Sequence, residues 1–136
     1  MISRLRARVR GEAGTAVVEF VMISALVMGL LLAVLQVAVY VHVRNVVAAS
    51  AQEGARYAAN ADVDSGAGAA RTLDIVGRSL GGSTADGLQC NSAEELDSTG
   101  LILVVVECTG AVPALFGALG DLLPVNATGR AIKEGQ

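Results

Sequence analysis

The feature that most constrains this chain is an uncharged apolar run over residues 20–41 (FVMISALVMGLLLAVLQVAVYV). A helix of this length, at about 1.5 Å per residue, can cross a hydrocarbon core of about 30 Å. Four arginines precede the run, at positions 4, 6, 8 and 10, and Glu12 is the only acid in residues 1–14. By the positive-inside rule, the N-terminus is expected in the cytoplasm and the C-terminal part outside. The same arginines also fit a plain topology signal without any processing role.

An acid, Glu19, stands directly before the apolar run. Acids in membrane segments are rare and usually have a partner or a function. Residues 14–20 read GTAVVEF, so a glycine, an acid and an aromatic residue precede the span at fixed spacing. This resembles type IV prepilins, which are cut after a glycine and carry glutamate as the fifth residue of the mature chain, followed by an aromatic residue. Gly14, Glu19 and Phe20 match that pattern residue by residue.

Two further stretches narrow the resemblance: residues 48–59 (AASAQEGARYAA) and residues 112–133 (VPALFGALGDLLPVNATGRAIK). Together with the leader they are similar to the TadE family, the minor pilins or pseudopilins of the tight-adherence (Flp) pilus system. The resemblance implies cleavage between Gly14 and Thr15 by a prepilin peptidase. It also implies assembly through the N-terminal helix with other pilin subunits, on an inner-membrane assembly platform that serves secretion and adhesion.

The expected organisation is a basic leader over residues 1–14, a long helix over residues 15–60 and an exported domain over residues 61–136. The domain is small and the chain has no tryptophan, so its core must be built from aliphatic side chains. A disulfide or neighbouring subunits would help to stabilise it. The expected fold class is α+β, with a long N-terminal helix followed by a short helix and a small antiparallel sheet.

The pattern along the chain predicts where these elements lie. Thr15 is a suitable N-cap, so the long helix is expected to start at the cleavage point, and no proline interrupts it before Ala59. Its later part presents small residues on one face, at positions 47, 51, 54 and 58. The other predicted elements are a loop at residues 60–67, a helix at residues 69–80, a turn at residues 82–87, strands at residues 88–91, 101–109 and 125–133, and a helical turn within residues 114–123.

Cys90 and Cys108 are the only cysteines, and the expected topology places both outside the cell. In an oxidising compartment two cysteines on predicted strands most simply form a disulfide, and closing a loop of this length contributes about 3 kcal/mol. A zinc site would need about four ligands, and the chain has one histidine, His42, at the membrane edge. The cysteines also lack a base that would make either one a nucleophile.

Three weaker patterns have an ordinary explanation beside a functional one. Residues 62–66 (DVDSG) begin like a calcium loop but lack its later ligands, so they are predicted to be a plain acidic loop. Residues 126–128 (NAT) match a glycosylation triplet but are predicted to be part of a strand. Ala25, Gly29 and Ala33 recur every four residues and would let helices approach closely in lipid. In a chain this rich in alanine, the same spacing also arises by chance.

Charge and composition exclude several classes of function. From residue 44 onward there are six basic residues against eleven acidic ones, so a nucleic-acid interface is not expected. No phosphate-binding glycine loop, catalytic pair of acids or serine triad is present, and neither a cofactor nor an enzyme activity is predicted. The partners predicted are pilin subunits, the peptidase, the assembly platform and membrane lipid.

Two alternatives stay open beside the pilin hypothesis. One is an uncleaved bitopic scaffold of the secretion machine. The other is a secreted binding protein whose apolar run is a signal peptide cut near residues 49–51. The run is longer than the 7–15 residues of a typical signal-peptide core, which disfavours the second alternative.

Overall fold

The computed structural model describes the backbone of residues 2–113 and 122–135, and the side chains of residues 14–111 and 123–135. The chain divides into two compact units, Met1–Val37 and Ala38–Gln136. The first contains only helix, and the second contains helix and sheet. In chain order the elements are α1 (Ile2–Ala59), α2 (Ala67–Leu80), α3 (Gly82–Asp86), β1 (Leu88–Leu96), β2 (Ile102–Pro113) and β3 (Leu122–Ile132). The predicted α+β class is therefore confirmed.

Helix α1 begins earlier than the sequence predicted. It starts at Ile2, so Thr15 lies inside the helix of the unprocessed chain and does not cap it. The leader contains arginine, leucine and alanine, all good helix formers, and it contains no proline. Gly11 and Gly14 weaken a helix but do not end one. A polar residue that can cap a helix therefore does not mark a helix start when the preceding residues also favour the helix.

Helix α2 ends at Leu80, the predicted last residue, and Gly81 follows it. Gly81 has a positive φ of 97°, and its backbone N–H donates to the carbonyl of Gly77. The prediction for the next segment was wrong, because residues 82–87 were predicted to be a turn and contain the short helix α3. The carbonyl of Gly81 accepts from the backbone N–H groups of Thr84 and Ala85, and these bonds start the new helical turn.

The three strands form an antiparallel sheet in the order β1-β2-β3. Each strand is longer than predicted. Strand β1 continues through Glu94 and Glu95 because they pair with Val104 and Leu103 of β2. Pairing with a strongly hydrophobic neighbour outweighs the low strand propensity of glutamate. Of the predicted helical turn, residues 114–121 lie outside the described residues, and Leu122 and Leu123 belong to β3.

The connection between β1 and β2 is a tight turn that begins at Asp97. Backbone bonds join the Asp97 N–H to the Leu101 carbonyl and the Gly100 N–H to the Asp97 carbonyl. Gly100 has a φ of 83°, a conformation that a residue with a side chain rarely adopts. The backbone N–H of Ser98 and the hydroxyl of Thr99 donate to the Asp97 carboxylate and hold its pKa below the usual value.

The core of the second unit lies between one face of the sheet and the helices α1 and α2. Helix α1 contributes the face of small residues predicted from the sequence, and Val47, Ala51 and Gly54 are buried. The side chains of Val47 and Ala51 pack against residues of α2 and the sheet, among them Val76, Val106, Cys108, Val125 and Ala127. The helices meet at glycines: a Cβ on Gly54 would lie 2.5 Å from the carbonyl oxygen of Gly68.

Lys133, directly after β3, joins three segments of the second unit. Its ammonium group donates to the carbonyls of Ala58 at 3.0 Å and Val63 at 2.8 Å, and to the Ser65 hydroxyl at 3.2 Å. It therefore satisfies carbonyl groups at the C-terminal end of α1 and in the following loop, where a cation is favoured by the helix dipole.

Replacing Lys133 with methionine should lower the free energy of unfolding by about 2–3 kcal/mol, because the partly buried acceptors lose a charged donor. Urea denaturation in detergent micelles measures the change. Arg78→Met is the matched control, since Arg78 pairs with Asp74 on an exposed surface and should cost less than about 1 kcal/mol. Equal losses for the two variants would contradict the structural role of Lys133.

Candidate processing and assembly site

The residues predicted for processing, and the first two predicted for assembly, lie within two turns of α1. Gly14, Thr15, Glu19 and Phe20 are all exposed. Thr15 and Glu19 are four residues apart and so share one face of the helix. Gly14 lies in an uninterrupted helix, and a Cβ added to it would meet no atom within 4 Å. The bond between Gly14 and Thr15 is therefore accessible at the surface, but a peptidase would have to unwind the helix locally to cut it.

The part of the apolar run that lies in the first unit forms a largely exposed hydrophobic surface. Phe20 is 71% exposed and Leu26 is 73% exposed. Within the described residues, Gly14–Ala59 is the helix long and apolar enough to cross a membrane, with a mean hydropathy of 2.6 in a window that is not buried at all. The helix therefore fits a single-pass membrane protein with its span near the N-terminus.

Two other features of this helix surface were predicted to take part in assembly. Ala25, Gly29 and Ala33 are exposed, and a Cβ on Gly29 would meet no atom within 4 Å. The stripe of small residues is therefore open to another helix. The described ion pairs join Asp74 to two arginines of α2, and Glu19 takes part in neither of them.

The predicted disulfide is present and lies in the second unit. Cys90 and Cys108 are opposite each other in the β1–β2 register, their Cα atoms are 4.1 Å apart, and their sulfur atoms are bonded. A short Cα separation of this kind is typical of a residue pair that shares no backbone hydrogen bonds. Cys108 is 1% exposed and belongs to the core against α1. The disulfide therefore joins strands β1 and β2, and its Cys108 side lies on the face of the sheet that packs against α1.

Sequence reasoning missed the contacts that attach α1 to the edge of β3. The side-chain amide of Gln52 donates to the carbonyl of Arg130 at 2.7 Å and accepts from its backbone N–H at 3.2 Å. One glutamine thus makes the two bonds that a neighbouring strand would make, which covers part of an edge that could otherwise pair with another chain. At the other end of β3, the Tyr40 hydroxyl donates to the carbonyl of Pro124 at 3.0 Å. No local pattern in the sequence marks Gln52 or Tyr40 for these roles.

The two remaining motifs have their ordinary structures. The Asp64 carboxylate accepts from the backbone N–H of Gly66, so residues 62–66 form an acidic turn of the predicted kind. Asn126 and Thr128 lie in β3, where a strand was predicted. Within the described part of the chain, no three histidine, cysteine, aspartate or glutamate residues are placed to hold a metal ion together.

Comparison with known proteins gives one match. Residues 14–56 match the family model of TadE-like proteins. No curated protein and no solved structure matches the chain. The matched segment begins at Gly14 and includes the whole apolar run. TadE-like proteins are pilin-like components of the tight-adherence pilus system, and their function is structural. The resemblance indicated by Gly14, Glu19 and Phe20 is thus confirmed, because residues 14–56 are similar to the TadE-like family.

Proposed function

We propose that the chain is a minor pilin or pseudopilin, a structural subunit of a tight-adherence type IV pilus assembly. The observation that carries the proposal is the family match over residues 14–56, a segment whose apolar part is exposed in the structure. A hydrophobic surface of this size needs a membrane or neighbouring helices to cover it. The folded α+β unit, which begins within α1 at Ala38, is the part that distinguishes a minor subunit from a pilin made of a helix alone.

The proposed life cycle follows from the order of charges along α1. The arginines of the leader hold the N-terminus in the cytoplasm, and the apolar run crosses the membrane. A prepilin peptidase cuts between Gly14 and Thr15 at the cytoplasmic membrane surface. The processed subunit then joins other pilin subunits on the inner-membrane assembly platform, with the folded unit outside and α1 as the assembly element. The exposed stripe of Ala25, Gly29 and Ala33 would allow close helix packing.

The signal-peptide alternative conflicts with the core of the second unit. A cut near residues 49–51 would remove Val43 and Val47, and both side chains are buried in that core. It would also sever α1 within the segment that packs on the sheet. The uncleaved scaffold alternative preserves the same core, so the state of the N-terminus distinguishes it from a pilin.

Gly14→Leu should abolish processing and leave a product heavier by the leader. Leucine is bulkier than glycine and favours the helix, so it both obstructs the peptidase and resists local unwinding. Intact-mass measurement in a host with the full pilus gene cluster gives the result, because the wild-type mature chain should begin at Thr15. Gly11→Leu is the matched control and should still be processed. If the wild-type protein keeps its leader in that host, the hypothesis of a processed pilin is wrong and the hypothesis of an uncleaved scaffold replaces it.

Glu19→Ala should leave insertion and cleavage intact but impair incorporation with partner pilins. An unpaired acid in the membrane costs about 2.5–3.5 kcal/mol on insertion scales. Cleavage creates a cation, the α-amino group of Thr15, which a neighbouring subunit could offer to Glu19. A subunit added out of register would leave both charges unpaired in lipid, so the pair would set the register of assembly.

Crosslinking of the variant to the major pilin measures incorporation. Glu53→Ala, which removes an exposed acid from the same helix outside the apolar run, should incorporate like the wild type. Normal incorporation of Glu19→Ala would mean that the acid only reaches the cytoplasmic interface and does not set the register.

A further inference from the structure

The second unit has one end that adjoins the apolar run. Its first residues, 38–41, are the last turn of that run. Tyr40 contacts Pro124, and Gln52, about three helical turns later, contacts Arg130. Helix α1 and strand β3 therefore run in the same direction. The start of β3 lies beside the end of the apolar run, and Ile132 lies about 30 Å further along the strand than Leu123.

The surface at this end is apolar. Val41 is 46% exposed, Leu123 is 36% exposed, and Pro124 is exposed beside the half-buried Tyr40. We call these four residues the basal rim. A tyrosine at the end of an apolar span is typical of a membrane interface, where the ring lies among the lipid headgroups.

Charged side chains lie at both ends of the unit. His42 and Arg44 are exposed next to the basal rim on α1. The other end carries a group of exposed acids, at the β1–β2 turn and after β3: Glu94, Glu95, Asp97 and Glu134. Asp86, an exposed acid at the end of α3, lies at the end with the basal rim, because Leu88 pairs with Gly110 and Gly110 pairs with Val125 near the start of β3. Arg44 lies beside the rim on α1, where it can pair with a lipid phosphate.

We propose that the basal rim is a lipid-contacting surface, seated in the headgroup region of the membrane that α1 crosses, with Arg44 beside the lipid phosphates. This inference rests on the proposed membrane span. The occupant is lipid because the rim is continuous with the apolar run, and the chain enters that run within one helical turn of Tyr40. The contact would hold the folded unit against the membrane until assembly removes the subunit from it.

The absence of tryptophan from the chain allows a direct test. Three single-tryptophan variants of the full chain, Leu123→Trp, Ile132→Trp and Leu26→Trp, are reconstituted in vesicles of phosphatidylcholine and phosphatidylglycerol that contain brominated lipid. Leu123 and Ile132 are both exposed and lie on the same strand, so they form a matched pair. Leu26 lies within the apolar run and tests the span itself.

Brominated lipid should quench Leu123→Trp about twofold more strongly than Ile132→Trp, because an interfacial side chain lies about 5–10 Å within the headgroup boundary. Aqueous acrylamide should show the opposite order.

Val41→Trp provides a second reporter from the rim, on helix α1. It should be quenched like Leu123→Trp, and it replaces that variant if Leu123→Trp does not fold. Quenching of Leu26→Trp with equal quenching of Leu123→Trp and Ile132→Trp would overturn the lipid contact and leave the span intact. Shielding of Leu123→Trp from both quenchers would indicate a protein partner and would also overturn it. Failure to quench Leu26→Trp would instead overturn the membrane span.

Discussion

Reduction of the Cys90–Cys108 disulfide should lower the free energy of unfolding of the second unit by about 2–5 kcal/mol, the usual cost in a small exported domain. The bond closes a loop with a sequence separation of 18 residues, so its loss increases the conformational freedom of the unfolded chain. The unit has few large side chains with which to compensate. Among the described residues, the largest fully buried side chains are those of valine, threonine and cysteine.

Urea denaturation with and without reductant isolates the cross-link, because the sequence and the native packing stay the same. Cys90→Ala should unfold at a lower urea concentration than the wild type and should not respond to reductant. Alkylation before reduction provides the chemical check, since neither thiol of the exported protein should react. Labelling of both thiols without reductant would contradict the disulfide.

The long helix and the hairpin pairing are the parts of the fold that the sequence predicts best. An uncharged run of 22 residues has few alternatives to a helix, because lipid leaves no other way to satisfy the backbone. Residues 101–109 are rich in valine and form most of β2. The start of α1 and the ends of the strands are different. Ile2 begins the helix because nothing in the leader stops it, and Glu94 and Glu95 extend β1 because β2 is there to pair with them.

The contacts of the candidate site likewise include some that the sequence predicts and others that it does not. Gly14, Glu19 and Phe20 are recognisable because their spacing from the apolar run is a local pattern. Gln52 and Arg130 are 78 residues apart in sequence, and their contact depends on the path of α1 along the sheet edge. Lys133 likewise acquires its role only when the end of β3 reaches the end of α1. A single sequence carries no local signal for such long-range contacts.

Gly129→Ala should destabilise the second unit by about 3 kcal/mol or more, at or above the usual cost of overpacking a core. A Cβ at this position of β3 would lie 2.2 Å from the carbonyl oxygen of Ala51 and 2.5 Å from the backbone nitrogen of Gln52. These are backbone atoms of α1, which cannot rotate away from the new methyl group. The helix would have to move off the sheet, and the bonds from Gln52 to Arg130 would be lost together with the packing of Ala51.

Gly82→Ala is the matched control, because a Cβ there meets no atom within 4 Å and the backbone has no positive φ. It should unfold in urea at or near the wild-type midpoint. Hydrogen exchange adds a local measurement: Gly129→Ala should lose protection at the backbone N–H of Arg130, which faces Gln52, before it loses protection along the β1–β2 pairing that the disulfide clamps. A Gly129→Ala variant that unfolds at the midpoint of Gly82→Ala would show that α1 does not pack on the sheet at this distance. The close approach of α1 and β3 would then be contradicted. The position of the basal rim depends on that approach as well.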